Sequence, residues 1–524
     1  MRDGVALLDL PEASDEEANR ACVALAARLR GRRTLGLRDA VPGARSLLIV
    51  FDPLRLSSEV LRATVDAVGT APEKEADAGG EARRVLVVPV AYDGSDLDEL
   101  ARAAGISPAE LARRHAGGEY RVAFLGFAPG FAYLTGLAPE LHAPRLRVPR
   151  TRVTAGSVAI GGPYTGVYPD ASPGGWRLVG RTSLRLLDPA AEPPALLRAG
   201  DRVRFASVRA EDLPRPALPR GDGRGKEPRG APVLRVLSPG LAVTVQGGPR
   251  ASEGLGSSGI PPGGAIDPVS LARANALVGN SPDAAGLEMG LVGCEIEILE
   301  DAVLALGGEL DAERNGRPTP PETAIPVAAG DRIRIGRVRR GVWGYLAVSG
   351  GLEPPARFAP QPRLSAGDLV SRPAGSAPEG GAAPSGGREA QPEGAIRLRV
   401  LTGPEADTFA ASELQRFLGS DWRVSTECDR RGLRLEGAPL AHLAAPEIPP
   451  SGTVPGMIQV PGGGLPIVLG PDGPVTGGYP RIATVIGADL PLLGRAAPGV
   501  VLRFAAVTMQ EALRARSSSS PGVS

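Results

Sequence analysis

Lysine is all but missing from this chain. Of 59 basic residues only Lys74 and Lys226 are lysine, and the rest are arginine. Both lie in linker-like surroundings, Pro-Glu-Lys-Glu and Gly-Arg-Gly-Lys-Glu. Chemistry that needs a lysine amine, as a Schiff base or as a biotin carrier, therefore has no good seat here. Cysteine is scarce too: Cys22, Cys294 and Cys428 stand far apart, with no CxxC. That excludes a disulfide framework and points to a reducing, cytoplasmic setting. The three histidines form no group with Cys or Asp at metal-ligand spacing. No apolar run approaches the ~18 residues of a bilayer span. The N-terminus turns acidic at Asp15-Glu16-Glu17, without an apolar signal segment. Neither sign of charge is in excess. A net charge of +1 argues against nucleic acid or an anionic membrane as partner. The pattern G-x-x-x-x-G-K-[ST] is absent, so a P-loop is excluded.

Glycine and proline are plentiful, 71 and 53 residues, yet they fall between apolar runs. Tight turns and a β bias explain them better than low complexity. A chain of 524 residues implies about three or four domains. Residues 1–80 read as α+β: a strand at Val5–Leu10, a capping box at Ser14-Asp15-Glu16-Glu17, and Ala18, Cys22, Leu25 and Leu29 at helical spacing. An apolar strand at Ser46–Asp52 and a helix over 58–68 complete a small sandwich with both helices on one sheet face. Residues 81–210 read as a barrel, opened by a strand at Arg84–Ala91 and a second capping box at Ser107-Pro108-Ala109-Glu110. Residues 211–231 read as a linker and 232–372 as a β-rich domain with a helix from Pro268. Residues 373–395 read as a flexible linker, 396–512 as a second barrel, and 513–524 as a disordered tail.

An internal repeat supports this division. Gly156-Ser157-Val158-Ala159-Ile160 and Thr165-Gly166-Val167-Tyr168-Pro169 recur as Gly456-Met457-Ile458-Gln459-Val460 and Thr476-Gly477-Gly478-Tyr479-Pro480. Each copy is followed by a strand with Arg-Phe, at Arg204-Phe205 and Arg503-Phe504. The ordered set implies two related barrels on one chain.

The stretch Glu119–Phe131, Pro149–Ile160 and Thr165–Thr182 closely resembles the B subunit of 5-oxoprolinase, also known as allophanate hydrolase subunit 1 and as a Kip-type inhibitor. Pro261–Asp267, Leu271–Asn280, Gly286-Leu287-Glu288, Tyr345–Gly351 and Val454–Pro480 resemble the C subunit of the same enzyme, also known as allophanate hydrolase subunit 2. The resemblance implies a mainly β fold with an α+β N-terminal domain and cyclophilin-like barrels in both halves. It also implies kinship with the carboxyltransferase part of urea carboxylase. Two departures are visible. Thr244-Val245-Gln246 is followed by Gly247-Gly248-Pro249-Arg250 where the family has Asp-Leu-Gly-Arg. Leu352–Leu369 is short and lacks the family's Gly-Ser-Arg-Ser-Thr loop.

The resemblance implies opening of 5-oxo-L-proline to glutamate with ATP as co-substrate, together with Mg, a separate 5-oxoprolinase A subunit and no biotin on this chain. The competing functions are a Kip-type regulator that binds a histidine kinase and an enzyme of urea metabolism. A homo-oligomer is left open. A phosphorylated lactam needs cations and backbone N–H groups around phosphate, and an arginine for the substrate carboxylate. The candidate binding residues are Arg150, Arg152, Gly161, Gly162, Gly174, Gly175, Gly263, Gly264, Tyr168, Glu288, Gln459 and Tyr479. The candidate catalytic residues are Asp267, Arg181 and His115, with Asp429 and Arg430 as weaker choices. Each also has a purely structural reading. Asp267 precedes Pro268 as an N-cap, His115 ends a helix, paired glycines make turns, and the two equivalent tyrosines pack.

Overall fold

The computed structural model describes residues 3–10, 14–69, 84–189, 191–214, 230–247, 254–320, 323–354, 358, 360–375 and 394–519. Strand Ser46–Phe51 is the middle of a three-stranded antiparallel sheet, between Val5–Asp9 and Leu37–Pro42. Its sequence is an unbroken apolar run because both of its faces are covered. Leu47, Ile49 and Phe51 pack on Cys22, Leu25 and Leu29 of helix Asp15–Gly31 and on Leu61 of helix Ser58–Val68. Leu48 and Val50 point the other way, onto Val454, Met457 and Leu469 from the far end of the chain. The first helix starts as its sequence requires. The Ser14 hydroxyl accepts from the Glu17 N–H, and the Glu17 carboxylate takes the Ser14 N–H at 3.2 Å.

The first barrel has strand order Arg177–Arg181, Ser157–Gly161, Tyr164–Val167, Ala132–Thr135, Tyr120–Leu125, Arg202–Ser207, Val85–Val90. A bridge from Ala91 to Arg181 brings its two edges together. Alternation sorts the side chains: Val122, Leu134, Val158, Ile160, Val203 and Phe205 fill the inside. Phe124, Tyr133, Ala159 and Tyr168 cover the outside with Phe131 and Trp176. At Ser107 only half of the expected box forms. Its hydroxyl accepts from the Glu110 N–H, while the Glu110 carboxylate turns to Arg113 and Arg114.

The second half opens with a nine-stranded sheet dominated by two long antiparallel strands, Ala302–Arg314 and Arg332–Val348. Helix Pro268–Leu277 lies on it through Ala274, against Ala305 and Ala347. A closed barrel follows, with strand order Ile396–Thr402, Arg481–Val485, Met457–Gln459, Ile467–Leu469, Gly432–Glu436, Trp422–Val424, Val501–Ala506. The architecture is therefore mainly β, with an α+β N-terminal unit, one nearly closed barrel and one closed barrel of cyclophilin-like type.

The expected disordered tail is corrected in part. Met509–Ser519 is helical. Ala512 is fully buried beside Leu401 and Ile486, and Arg516 pairs with Asp3 at 2.9 Å. An apolar anchor and a buried ion pair outweigh the serine-rich composition. Residues 520–524 lie outside the described residues, as do most of the expected linkers 211–231 and 373–395, both lysines, and Gly248-Pro249-Arg250 of the altered turn. Among the described residues no helix is long and apolar enough to cross a membrane.

Candidate functional site

The turn Pro261–Asp267 carries the helix beginning at Pro268 and meets both sheets of the second half. Gly263 and Gly264 sit at φ 62° and 84°, which lets the chain fold back so that the Gly263 N–H reaches Pro471 O at 3.0 Å. Glu288, on strand Gly286–Gly290, is fully buried behind this turn. Its Oε2 accepts from the Tyr345 hydroxyl and from the Ile266 N–H, both at 2.9 Å. Its Oε1 takes Arg430 Nη1. Arg430 also donates to Asp472, through Nε at 2.7 Å and Nη2 at 3.0 Å, and to Gly264 O at 2.7 Å. Burial pushes the Glu288 carboxyl pKa up, while Arg430 and the two other donors pull it back. For Arg430 burial works against the charge, but Glu288 and Asp472 outweigh it and raise the pKa.

Asp267 is engaged as well. It caps the helix by accepting from the Ser270 N–H at 3.1 Å and the Ser270 hydroxyl at 2.7 Å. Its own N–H donates to the Tyr345 hydroxyl at 2.8 Å, and Arg495 Nε stands 3.9 Å from Oδ2. The constellation therefore acts as a clamp between sheet and barrel, with every carboxylate already paired.

Beside this clamp lies a cavity of about 270 Å³. Three units build it: Arg38, Val41 and Leu48 from the N-terminal sheet, Ile260, Pro262 and Trp343 from the middle sheet, and Val454, Val468 and Leu490 from the last barrel. Its walls are mostly apolar. Arg38 is paired with Asp52 at 2.9 Å, and Asp39 Oδ2 accepts from the Gly256 N–H at 2.8 Å. Asp429 contributes an exposed carboxylate to the rim, where Oδ1 accepts from the Arg431 N–H at 2.7 Å.

The other sequence-selected residues lie in the first barrel or on its contact with the last one. His115 is fully buried, its Nδ1 2.7 Å from the Tyr92 hydroxyl and its Nε2 2.8 Å from Thr165 Oγ1. Burial pushes its pKa down to about 3, so the ring is neutral. The repeat explains its place. His115 stacks on Phe205 at 4.7 Å and accepts the Tyr120 hydroxyl on its carbonyl at 2.7 Å. In the last barrel Phe417 stacks on Phe504 at 4.7 Å and accepts Trp422 Nε1 at 2.9 Å. A phenylalanine does the equivalent job.

Arg150 pairs with Asp96 at 2.6 Å and Arg181 with Asp93 at 2.8 Å. Arg152 is exposed. Gly161 and Gly174 make room for rings: a Cβ would come within 2.5 Å of the Trp176 indole and 2.2 Å of the Tyr168 hydroxyl. Gly162 is at φ 61° with open space, and Gly175 gives its carbonyl to the Leu146 N–H at 2.7 Å. Gln459 is buried next to Gly477, and Tyr479 lies within electrostatic reach of Tyr133. Tyr345, Asp472, Arg495, Tyr133 and Arg145 escape a reading of the sequence. Tyr345 and Asp472 lie within stretches that carry the resemblance, but nothing local marks either as a site residue. The other three stand on strands or loops without a local motif, and only strand alternation marks Tyr133 as facing away from the barrel interior.

Two carboxyltransferase profiles match the chain. "Carboxyltransferase domain, subdomain C and D" covers residues 1–197, and "Carboxyltransferase domain, subdomain A and B" covers residues 258–506. The C subunit of Escherichia coli 5-oxoprolinase is 34% identical over 297 residues, 54% of this chain and 94% of that protein. The B subunit of Bacillus subtilis 5-oxoprolinase is 37% identical over 221 residues, 40% of this chain and 92% of that protein. The chain belongs to the carboxyltransferase-domain family, as a fusion of B-type and C-type 5-oxoprolinase subunits. A putative urea carboxylase of Emericella nidulans is 30% identical over 319 residues, but this match covers only 25% of that protein. The crystal structure of TTHA0988 superposes with a TM-score of 0.83 at 37% identity, covering 96% of this chain and 99% of that one. The whole arrangement of a B-like half packed on a C-like half thus recurs in a solved structure of this family.

Proposed function

We propose that this chain is the fused B–C component of an ATP-dependent 5-oxoprolinase, opening 5-oxo-L-proline to L-glutamate together with a separate A subunit. One observation carries the reading. A single chain aligns with nearly the full length of two different subunits of one enzyme. In the net reaction ATP and water are consumed, the lactam C–N bond breaks, and glutamate, ADP and phosphate are released. Phosphorylating the lactam oxygen makes its carbon electrophilic for water. Among the described residues, the unpaired groups on the first barrel and its contact with the last include kinds that bind and orient: Arg145, the Tyr133 phenol and the buried Gln459 amide. Lysine takes no part, since both lysines sit in linker-like sequence. In this reading Mg enters with ATP.

Urea chemistry is the second reading, favoured by the match to the putative urea carboxylase. The test separates them. Purified chain plus the A subunit is expected to form glutamate from 5-oxo-L-proline only when ATP is present. Without this chain, the A subunit is expected to be inactive or strongly impaired. No effect of adding this chain, or carboxylation of urea in its place, overturns the proposal.

A further inference from the structure

Four of the seven tyrosines gather on the outer face of the first barrel: Tyr133, Tyr164, Tyr168 and, from the last barrel, Tyr479. Tyr133 sits at the centre, with Tyr164 at 5.6 Å and Trp176 at 5.4 Å between ring centroids. It is only 6% exposed, and its hydroxyl has no hydrogen-bond partner among the described residues. The hydroxyl oxygen is not among the fully buried unpaired atoms, so it opens at the face while its ring is covered, and an unpaired phenol there is free to donate to a ligand. Arg145 lies within electrostatic reach of Tyr133, Tyr164 and Tyr168. It is exposed and has no carboxylate partner among the described residues, as is also true of Arg147 and Arg152; its reach to the three phenols sets it apart, while Arg150, Arg177 and Arg181 are paired.

The last barrel adds two more unpartnered groups at this contact. Gln459 Nε2 and Thr476 Oγ1 are buried without a hydrogen bond. A Cβ on Gly477 would lie 2.5 Å from Gln459 Nε2, and one on Gly126 would lie 1.6 Å from Thr476 Oγ1. Phe127, next to Gly126, is held at φ 65° and is 39% exposed. A bulky residue in the left-handed region is strained, and such strain clusters at ligand sites.

The geometry points to a binding site for a small organic carboxylate on this face, with Arg145 pairing the carboxylate and the Tyr133 hydroxyl donating to a ligand oxygen. Arg145 stands beside neutral phenols and aromatic rings, and the carboxylate within reach of Tyr164, Asp15, is already paired with Arg45; this suits a monoanion with a compact uncharged body. A phosphate cradle fits less well, because rings fill the space at Gly161 and Gly174. That the carboxylate is 5-oxo-L-proline rests on the proposed function; that a carboxylate binds here does not.

Calorimetry on the full chain, with neither ATP nor the A subunit present, tests it. The probes are 5-oxo-L-proline and 2-pyrrolidinone, the same lactam without the carboxylate. Wild type is expected to bind 5-oxo-L-proline at least tenfold more tightly than 2-pyrrolidinone. Arg145→Gln is expected to remove at least tenfold of that affinity. Tyr133→Phe, which keeps the ring, is expected to remove several-fold. Arg177→Gln, at an ion pair away from the cluster, is expected to bind like wild type. The site is overturned by wild-type affinity in both Arg145→Gln and Tyr133→Phe, by equal binding of the two lactams, or by binding of ATP alone. Glutamate formation that ignores Arg145 removes this site and leaves the proposed function standing. Arg145-dependent binding without glutamate formation does the reverse.

Discussion

His115 shows what a single residue's surroundings decide. Its two ring nitrogens are satisfied by Tyr92 and Thr165, and its counterpart in the other barrel is Phe417. His115→Phe is therefore expected to fold and to retain glutamate formation, at a cost of about 1–3 kcal/mol for the Tyr92 hydroxyl left without its partner. The pH dependence carries the sign. The folded ring has a pKa of about 3, against the ordinary 6.5 of an exposed histidine. Below 6.5 the unfolded chain takes up a proton that the folded chain refuses. Wild type thus loses up to about 1.4 kcal/mol per pH unit from this group, which the variant does not. Urea titrations at about pH 7.5 and about pH 5, either side of the unfolded pKa, should show the gap between the two proteins closing; a constant gap means that the folded ring takes up its proton as readily as the unfolded one. The arginines divide in the same way. Arg150 serves the mostly buried Asp96, which also accepts from the Leu178 N–H at 2.6 Å. Arg150→Gln is expected to cost more than about 1 kcal/mol, and Arg152→Gln less than about 0.5 kcal/mol. Equal melting temperatures for both variants contradict this division.

At the scale of elements, Arg430 is the tie between the middle sheet and the last barrel. Removing one partner of a buried pair strands the other charge. Arg430→Met is expected to cost about 3–5 kcal/mol, and adding Glu288→Gln should return at least about 1 kcal/mol of it. A double variant whose losses simply add would show that Arg430 acts through Asp472 and Gly264 alone. This tie also marks where the sequence stops being legible. Strand Ser46–Phe51, helix Ser58–Val68, the first capping box and the paired repeats can be read because period, caps and punctuation are local. Asp267 is readable as an N-cap for the same reason. Glu288 stands out only through family resemblance, and nothing local links it to Tyr345 or Asp472, which lie 57 and 184 positions away. Likewise the apolar strand shows that both faces are covered, but not that Val454 and Met457 cover the second.

That second face makes the whole molecule one body. The N-terminal sheet lies between its own helices and the last barrel, with Leu48 fully buried in the contact. Polar bonds fix the register there. The Ala44 N–H reaches Pro450 O at 2.7 Å and Ser46 Oγ meets Ser451 Oγ at 2.7 Å; on the side of the first barrel, Asn19 joins Gly43 O to Ala123 O through its amide. Asp3, fully buried, accepts from the Gly487 N–H and from Arg516, so the first described residue is held by the last helix. Burying one such leucine or valine contributes about 1.5–3 kcal/mol, and several are buried across this contact. The backbones approach so closely at Gly452 that a Cβ would lie 2.4 Å from that of Leu48. Fragments 1–214 and 230–524, expressed separately, are therefore expected to associate at micromolar concentration and to co-elute on gel filtration. Gly452→Val in the second fragment should weaken that association at least tenfold, about 1.4 kcal/mol, because the clash involves packed Leu48 and cannot be relieved by rotating a surface side chain. In the intact chain the same change should do less, since the linker holds the halves at an effective concentration of about millimolar. Fragments that stay apart at micromolar concentration would mean that the tether, and not this apolar contact, holds the two halves together.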